Sequence, residues 1–291
     1  MKTTQKYSKI IAGTMTWGSW GKNLQEQKMG ALMNHCVDVG ITTFDHADIY
    51  GGYTNEAMFG AAFANSTIAR EKIQIITKCG IQFVCKDRDN TIGHYQYDKA
   101  YIIDAVYASI KNLKTEYIDF LLLHRPSPLM HPEEIAAAVE VLQKEGKIID
   151  FGVSNFTASQ IKMLETEIPV CGNQIEFSLT EHTAMYDGTL DDCITAKRRV
   201  MAWSPLGVYF KEENEQTQRI KATLKALVSK YNVAEDQLLL AWILRHPAVI
   251  SPVIGTTTPE RIRAAVQAQE INLELEDWFL LLKASQGHSV P

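Results

Sequence analysis

Several features that mark specialised proteins are missing from this chain of 291 residues. It has no apolar run long enough to span a bilayer. No window is dominated by lysine or arginine, as a surface that follows a phosphate backbone would require, and the formal net charge is -5. We therefore expect neither a membrane segment nor a nucleic-acid partner.

Cysteine is sparse, and its spacing suggests neither a disulfide framework nor a metal site. The five cysteines form no C-x-x-C pair and no cluster with histidine. No metal is therefore expected, and reduced, buried thiols are predicted at Cys36, Cys79, Cys85, Cys171 and Cys193. A nucleophilic role for Cys79, beside Lys78, has no histidine or aspartate in the local sequence to support it.

The chain also lacks an internal linker rich in proline, glycine or serine. Its composition, 46% hydrophobic and 22% charged, is that of a globular protein, and α/β barrels of this length commonly form one domain. A single domain is predicted over residues 1–291. The apolar run near the N-terminus is too short for a signal peptide, so a cytoplasmic location is expected.

What the chain does contain is an alternation of short apolar runs with longer amphipathic segments. Strands are predicted at residues 9–13, 41–45, 72–77, 117–123, 148–153, 170–175, 200–203 and 250–254. Helices are predicted at residues 25–39, 56–64, 99–113, 132–145, 157–166, 187–197, 220–231, 234–245, 259–269 and 276–286. Eight βα units predict a (β/α)8 TIM barrel. A doubly wound sheet is the alternative, but no G-x-G-x-x-G follows the first strand.

In such a barrel the active site lies at the C-terminal ends of the strands. Polar and small residues follow nearly every predicted strand and would share one mouth. They are Gly13, Thr14, Met15, Asp45, Tyr50, Lys78, His124, Ser154, Asn155, Gln174, Trp203, Ser204, Gly255 and Thr256. The long segment 78–98 is predicted to be a lid, a pocket wall or a decorated surface loop.

Four of these residues suggest proton transfer to an oxygen atom. A cation beside a tyrosine favours the phenolate and lowers its pKa, and Lys78 is predicted to do this for Tyr50. Asp45 would keep the lysine charged and oriented, while His124 would hydrogen-bond the substrate oxygen. Tyr50 is therefore the predicted general acid.

A general acid at a carbonyl oxygen needs a partner that delivers electrons, and no side chain supplies hydride, whereas a nicotinamide cofactor does. Ser154, Asn155 and Gln174 suit a carboxamide, and Trp203 offers a face for stacking. Residues 255–259 open a helix whose free N–H groups suit a phosphate, with Arg261 and Arg263 nearby for a second anionic group.

Taken together, these motifs resemble the aldo/keto reductase superfamily over essentially the whole chain. They are Gly13-Thr14-Met15-Thr16-Trp17-Gly18, Phe44-Asp45-x-Ala47-Asp48-x-Tyr50-Gly51, Thr77-Lys78, Leu121-Leu122-Leu123-His124-Arg125-Pro126, Gly152-Val153-Ser154-Asn155-Phe156 and Trp203-Ser204-Pro205-Leu206-Gly207. The resemblance implies reduction of an aldehyde or ketone with Asp45, Tyr50, Lys78 and His124 as the catalytic tetrad.

The same resemblance implies an extended nicotinamide cofactor across the barrel mouth. Its binding residues would be Gly13, Thr14, Met15, Asp45, Ser154, Asn155, Gln174, Trp203, Ser204, Pro205, Leu206, Gly207, Gly255, Thr256, Thr257 and Arg261. Many members carry a basic residue where this chain has Gly255. Because Arg261 matches the family's arginine one turn into the helix, NADPH is predicted, with NADH as the alternative.

The substrate pocket is predicted to be walled by Trp17, Trp20, Tyr53 and Phe83, since the C-terminal tail is short. The partner is a small-molecule carbonyl compound of undetermined identity, and the protein is expected to be a monomer or a small homo-oligomer. Two other functions stay open: a nicotinamide-binding regulatory barrel with little turnover, and a phosphate-binding isomerase. Arg198 and Arg199 are predicted to be solvated.

Overall fold

The computed structural model describes residues 7–86 and 88–289. Eight parallel strands form a closed barrel: β1 (Ile11–Gly13), β2 (Thr43–Asp45), β3 (Gln74–Cys79), β4 (Ile118–Leu123), β5 (Ile148–Ser154), β6 (Gly172–Glu176), β7 (Arg199–Trp203) and β8 (Ile250–Ile254). Neighbours along the chain pair with each other, and Ile11 of β1 lies opposite Val253 of β8 to close the ring. The predicted (β/α)8 barrel is confirmed.

Ten α-helices of seven residues or more surround the barrel in the part of the chain that the structure describes. They are α1 (Glu26–Asp38), α2 (Asn55–Ala64), α3 (Lys99–Leu113), α4 (Pro132–Lys144), α5 (Ala158–Leu164), α6 (Thr189–Thr195), α7 (Glu215–Tyr231), α8 (Glu235–Leu244), α9 (Pro259–Gln267) and α10 (Leu275–Gln286). Most lie within a few residues of the prediction. The exception is α7, which begins five residues earlier because Asn214 caps it: its side chain accepts from the Thr217 N–H.

A short antiparallel hairpin lies within the long segment that follows β3. Its strands, Ile81–Gln82 and His94–Tyr95, pair with each other and not with the barrel. The hairpin begins after Gly80, whose φ of +112° suits glycine alone, and a Cβ there would lie 2.0 Å from the Tyr97 ring. This glycine lets the chain turn away from the strand while Tyr97 packs against it.

The barrel interior is packed with side chains and is not a pore. Large side chains from five of the strands, together with Tyr7 ahead of β1, fill it: Tyr7, Ile11, Ile76, Phe120, Leu122, Met201 and Val253. Space for the Phe120 ring comes from two glycines on adjacent strands. A Cβ on Gly152 would lie 2.8 Å from that ring and one on Gly172 would lie 2.9 Å from it. Small residues beside a large one give the layer its fit.

Tyr7 closes the N-terminal end of the barrel. Its hydroxyl lies 2.8 Å from Asp150 Oδ2 and 3.1 Å from the Asp119 carbonyl oxygen, and the Arg199 guanidinium lies 4.3 Å from its ring centroid. Arg199 is therefore half-buried, and the prediction that it is solvated was wrong. The end of the barrel opposite the predicted active site is sealed.

Arg198 is also not a solvated residue, contrary to the prediction. Its side chain is buried and forms ion pairs with Glu165 at 2.6 Å and Asp192 at 2.8 Å. The two carboxylates belong to the end of α5 and to α6, so the arginine links two connections on the N-terminal side of β7. A guanidinium with two carboxylate partners tolerates burial that a lone charge does not.

The cysteines divide into two groups. Cys36, Cys79 and Cys193 are buried as predicted, but Cys85 is partly exposed and Cys171 is exposed, because both lie in connections outside the packed layers. Burial, with Asp48 and Glu56 nearby, raises the pKa of the Cys79 thiol well above its usual value, which argues against a nucleophilic role. Within residues 7–86 and 88–289, no helix is long and apolar enough to cross a membrane.

Candidate active site

The barrel brings the four predicted catalytic residues together from separate parts of the chain. Asp45 ends β2, Tyr50 follows it in a turn, and Lys78 lies near the end of β3. His124 comes directly after β4, where its N–H donates to the Cys79 carbonyl at 2.9 Å. Because parallel strands end at one edge, side chains far apart in sequence meet there.

Lys78 is at the centre of this group, and its side chain is only 1% exposed. Its ammonium donates to both carboxylate oxygens of Asp45 at 2.8 and 2.9 Å. It also lies 2.7 Å from the His46 carbonyl oxygen and 3.2 Å from the Tyr50 hydroxyl. Burial lowers the pKa of Lys78. Attraction to Asp45 and Tyr50 raises this pKa by more than burial lowers it, so the net shift is upward. The lysine is charged at neutral pH.

The pKa of Tyr50 is raised, and the predicted lowering was wrong in direction. Burial raises this pKa more than the Lys78 charge lowers it. The phenol is consequently protonated at neutral pH, which is the form a proton donor needs. Because the Tyr50 oxygen accepts from Lys78, its own hydrogen is left to point to another acceptor.

His124 is neutral at neutral pH. Burial, followed by the Lys78 and Arg125 charges, lowers its pKa well below the usual value. Its ring stands edge-on to Tyr50, with centroids 6.1 Å apart. No hydrogen-bond partner for the buried Nδ1 atom lies among the described residues. A neutral imidazole next to the tyrosine is suited to hydrogen-bond a polar oxygen without adding charge.

Two residues hold Asp45 in place, one at its carboxylate and one at its backbone carbonyl. Gln174 donates to Asp45 Oδ1 at 2.9 Å from the interior of the barrel. The Thr14 hydroxyl donates to the Asp45 carbonyl oxygen at 2.9 Å. Gln174 is also predicted to bind the cofactor, and its amide nitrogen is used on Asp45.

His46 is a neighbour that the sequence did not assign. Its side chain is fully buried, and its Nδ1 lies 2.9 Å from the Thr14 hydroxyl. Because that hydroxyl already donates to Asp45, Nδ1 is the donor of this bond. The ring packs edge-on against Phe59 at 4.3 Å. His46 therefore supports the backbone segment whose carbonyl receives the Lys78 ammonium.

Asp48 orders the loop that follows Asp45. Its carboxylate accepts from the Ile49 N–H at 2.7 Å. Behind it the chain takes an unusual path, because Gly51, Gly52 and Tyr53 all have left-handed φ values, of 63, 66 and 69°. A tyrosine in this conformation costs about 1–2 kcal/mol, so other contacts must hold it there.

A chain of hydrogen bonds orders the opposite side of the mouth. Trp203 Nε1 donates to Asn155 Oδ1 at 2.8 Å, and Asn155 Nδ2 donates to Ser154 Oγ at 2.8 Å. Ser154 in turn donates to the Gln174 carbonyl at 3.0 Å. Asn155 and Ser204 both have left-handed φ values, of 60 and 49°. Backbone strain of this kind is frequent at functional sites.

The segment after Trp203 and the end of β8 complete this side. Ser204, Pro205, Leu206 and Gly207 follow the tryptophan, and a Cβ on Gly207 would lie 1.9 Å from Thr180 Oγ1. At the end of β8, a Cβ on Gly255 would meet nothing within 4 Å.

Beyond Gly255 come partly exposed Thr256 and Thr257, then α9. Arg261 is exposed on the first turn of this helix, and no hydrogen bond or ion pair of its side chain is seen within the described ranges. On the other flank Gly13, Thr14 and the 45% exposed Met15 follow β1. Because β1, β8 and β7 are neighbours in the barrel, these segments lie along one side of its mouth.

Three of the four residues predicted to wall the substrate pocket lie near Tyr50. The Trp20 ring is 6.3 Å from Tyr50 and 5.8 Å from Phe83, while the Tyr53 hydroxyl bonds the backbone beside Phe83. Trp17 does not belong to the pocket. It is 1% exposed and packs against Phe44 and Phe59 in the core, because its side chain points under α2 and away from the mouth.

The geometry agrees with comparisons to known proteins. The model of the aldo/keto reductase family matches residues 9–284. The chain belongs to the aldo/keto reductase family. Members are oxidoreductases that reduce carbonyl groups and generally use nicotinamide cofactors. This aldo/keto reductase is therefore an oxidoreductase of that general kind.

Curated relatives match along nearly their whole length. The chain is 42% identical to the uncharacterized oxidoreductase YcsN of Bacillus subtilis, covering 98% of this chain and 97% of that protein. It is 37% identical to the oxidoreductase YdhF of Escherichia coli, covering 98% and 96%. It is also 37% identical to a 6-dehydroglucose reductase of Agrobacterium fabrum, with 97% of each chain covered.

Solved structures of lower identity share the fold. A thermostable aldo-keto reductase, Tm1743, superposes with a TM-score of 0.82 at 24% identity, covering 97% of each chain. A glycerol dehydrogenase from Gluconobacter oxydans superposes with a TM-score of 0.86 at 22% identity, covering 99% of this chain and 94% of that one. At these identities the likeness supports the barrel alone.

We predict that His46→Gln flattens the acid side of the stability profile. Burial, with help from the Lys78 charge, lowers the pKa of His46 to about 3, against about 6.5 in an unfolded chain. Between these values the unfolded chain binds a proton that the native one does not, so stability is full above about pH 6.5 and falls on acidification by about 1.4 kcal/mol per pH unit.

Urea unfolding of wild type and His46→Gln at several values between about pH 4 and pH 6 measures this slope. In the variant, the slope of the unfolding free energy against pH should be smaller by about the contribution of one bound proton. An identical slope in both proteins would contradict the buried, neutral state of His46.

Proposed function

We propose that this protein reduces an aldehyde or ketone to an alcohol with NADPH, and that Tyr50 donates the proton. The observation that carries the proposal is the contact of the buried Lys78 ammonium with both Asp45 and the Tyr50 hydroxyl. A protonated phenol beside a fixed cation is arranged to give up its proton to a bound oxygen.

The side chains divide the proton transfer among them. Tyr50 donates its hydrogen to the carbonyl oxygen as negative charge develops there. The Lys78 ammonium, already in place, stabilises the phenolate that remains. Asp45 holds this ammonium charged and oriented, and neutral His124 donates a hydrogen bond that positions the substrate oxygen. No group has to move a charge through water during the step.

When bound, a nicotinamide cofactor supplies the hydride that the carbonyl carbon receives. The residues of the rim fit such a group. Hydrogen bonds already fix Ser154, Asn155 and Trp203 relative to one another. Gly255, which has no side chain, leaves open space before the N-terminus of α9. Backbone N–H groups at a helix start favour a phosphate.

The preference for NADPH rests on Arg261. Its guanidinium is exposed beside the helix start and is free to pair with an extra phosphate, and arginine binds phosphate oxygens in a bidentate fashion. Gly255 contributes no charge, so the arginine has to supply this selectivity.

The relatives suggest where a substrate search should begin. Those from Agrobacterium fabrum and Novosphingobium aromaticivorans, 37% and 31% identical to this chain, are named 6-dehydroglucose reductases. Carbonyl derivatives of sugars therefore belong among the first compounds to test, beside simple aldehydes and ketones.

Replacing Tyr50 by phenylalanine should remove most of the turnover. The change deletes the donated proton but keeps the ring, so kcat should fall on the order of 100- to 10,000-fold. Cofactor binding, followed by quenching of tryptophan fluorescence on titration with NADPH, should be retained.

Tyr107→Phe is the matched control for this variant. Tyr107 is exposed on α3 and its hydroxyl donates to Glu145, on the outside of the barrel, so its loss should leave kcat unchanged. Undiminished kcat in Tyr50→Phe would exclude the tyrosine as proton donor.

Arg261→Ala should weaken the binding of NADPH more than the binding of NADH. Loss of a charged hydrogen bond worth about 1.5–3 kcal/mol should raise KM for NADPH about 10- to 150-fold, with a much smaller change for NADH. Lys144→Ala, which removes an exposed cation at the C-terminal end of α4, is the control. Equal losses with the two cofactors would exclude the assignment of Arg261 to the extra phosphate.

A further inference from the structure

Tyr53 was predicted to be part of the pocket wall, but its hydroxyl is engaged elsewhere. It accepts a hydrogen bond from the Phe83 N–H at 3.0 Å and donates one to the Ile81 carbonyl at 3.2 Å. Both partners belong to the hairpin formed by the strands Ile81–Gln82 and His94–Tyr95 and the residues between them. The Tyr53 hydroxyl therefore binds the backbone of the hairpin at two points.

A third contact fastens the same ring. The Arg88 guanidinium, also from the hairpin, lies 3.9 Å from the Tyr53 ring centroid, a distance at which a cation is attracted to an aromatic face. The hairpin has no strand pairing with the barrel. Tyr53 thus connects the hairpin to the rest of the molecule through its hydroxyl and its ring.

The backbone of Tyr53 is bound to the catalytic turn. It is the last of three consecutive left-handed residues after Tyr50, and such a conformation in a tyrosine has to be imposed by surrounding contacts. The Gly51 carbonyl oxygen in that turn accepts from Thr54 Oγ1 at 2.8 Å and from Ser19 Oγ at 3.1 Å. Ser19 precedes Trp20, so the same turn also holds the second aromatic of the wall.

Phe83 consequently packs edge-on against Trp20, which in turn lies against Tyr50. Their ring centroids are 5.8 Å apart, and the Trp20 ring lies 6.3 Å from that of Tyr50. Both are about two-fifths exposed, at 39% and 42%. This is an apolar wall beside the proton donor, where the substituent of a carbonyl substrate would lie.

We propose that Tyr53 is a positioning residue that determines substrate specificity, by fastening the hairpin so that Phe83 and Trp20 form this wall beside Tyr50. This role rests on the proposed carbonyl reduction: the wall contacts substrates whose carbonyl carries a ring or another broad apolar group. Small aldehydes reach Tyr50 without contacting the wall.

Tyr53→Phe tests the proposal because it keeps the ring and its contact with Arg88 and deletes both hydrogen bonds. KM for a phenyl-substituted aldehyde should rise about three- to tenfold, while kcat and KM for propanal should stay near the wild-type values. Tyr95→Phe is the matched control, a tyrosine of the same hairpin that is 42% exposed, and it should change neither substrate. Equal effects of Tyr53→Phe on both aldehydes, or none, would overturn the proposal.

A double-mutant cycle shows whether Tyr53 acts through the wall. If it does, Tyr53→Phe should add little to the loss already caused by Phe83→Ala with the phenyl-substituted aldehyde. Fully additive losses would contradict the claim that Tyr53 acts through the wall.

Limited trypsin digestion gives a readout independent of turnover. Cleavage after Arg88 should be faster in Tyr53→Phe than in wild type or Tyr95→Phe, and an unchanged rate would contradict the role of Tyr53 in holding the hairpin. Should wild type reduce no carbonyl compound, the proposed function fails while this digestion still decides whether Tyr53 fastens the hairpin.

Discussion

The buried ion pair between Lys78 and Asp45 is the interaction on which the site depends. An ammonium that is 1% exposed has lost its water, and only close acceptors offset that loss. Asp45 supplies two of them, while the His46 carbonyl and the Tyr50 hydroxyl supply the others. Removing one partner of a buried pair typically costs about 3–5 kcal/mol. Placement of the tyrosine and stability of the barrel mouth are therefore linked.

Around this pair, the same residues serve the fold and the chemistry. Gln174 of β6 donates to the Asp45 carboxylate from across the barrel, and Thr14, which follows β1, donates to the Asp45 backbone carbonyl. Left-handed backbone at Asn155 and Ser204 marks the points where the chain leaves two strands at the rim, and Tyr53 has a left-handed φ in the turn after Tyr50. The other end of the barrel is closed by Tyr7 and its polar partners.

The barrel and the grouping of Asp45, Tyr50, Lys78 and His124 were predictable because both depend on periodicity and on strand ends. The alternating apolar runs predicted the number of βα units, and the residues after each predicted strand were the candidates for the barrel mouth. The direction of a side chain in a loop was not predictable, so Trp17 was assigned to the pocket although it lies in the core.

Long-range partners were equally hidden from the sequence. Arg198 looked solvated because Glu165 and Asp192 meet it only in the folded chain. The rise in the Tyr50 pKa depends on how far the folded chain shields the tyrosine from water, and the spacing of residues does not reveal that.

The most direct test of the account is turnover by the wild-type protein. Consumption of NADPH and of NADH should be followed separately against a panel of aldehydes, ketones, dicarbonyls and carbonyl derivatives of sugars. Oxidation of NADPH that depends on a carbonyl compound, with an alcohol as product, is the predicted result. Tight binding of NADPH without turnover of any member of the panel would contradict the account and favour a regulatory barrel.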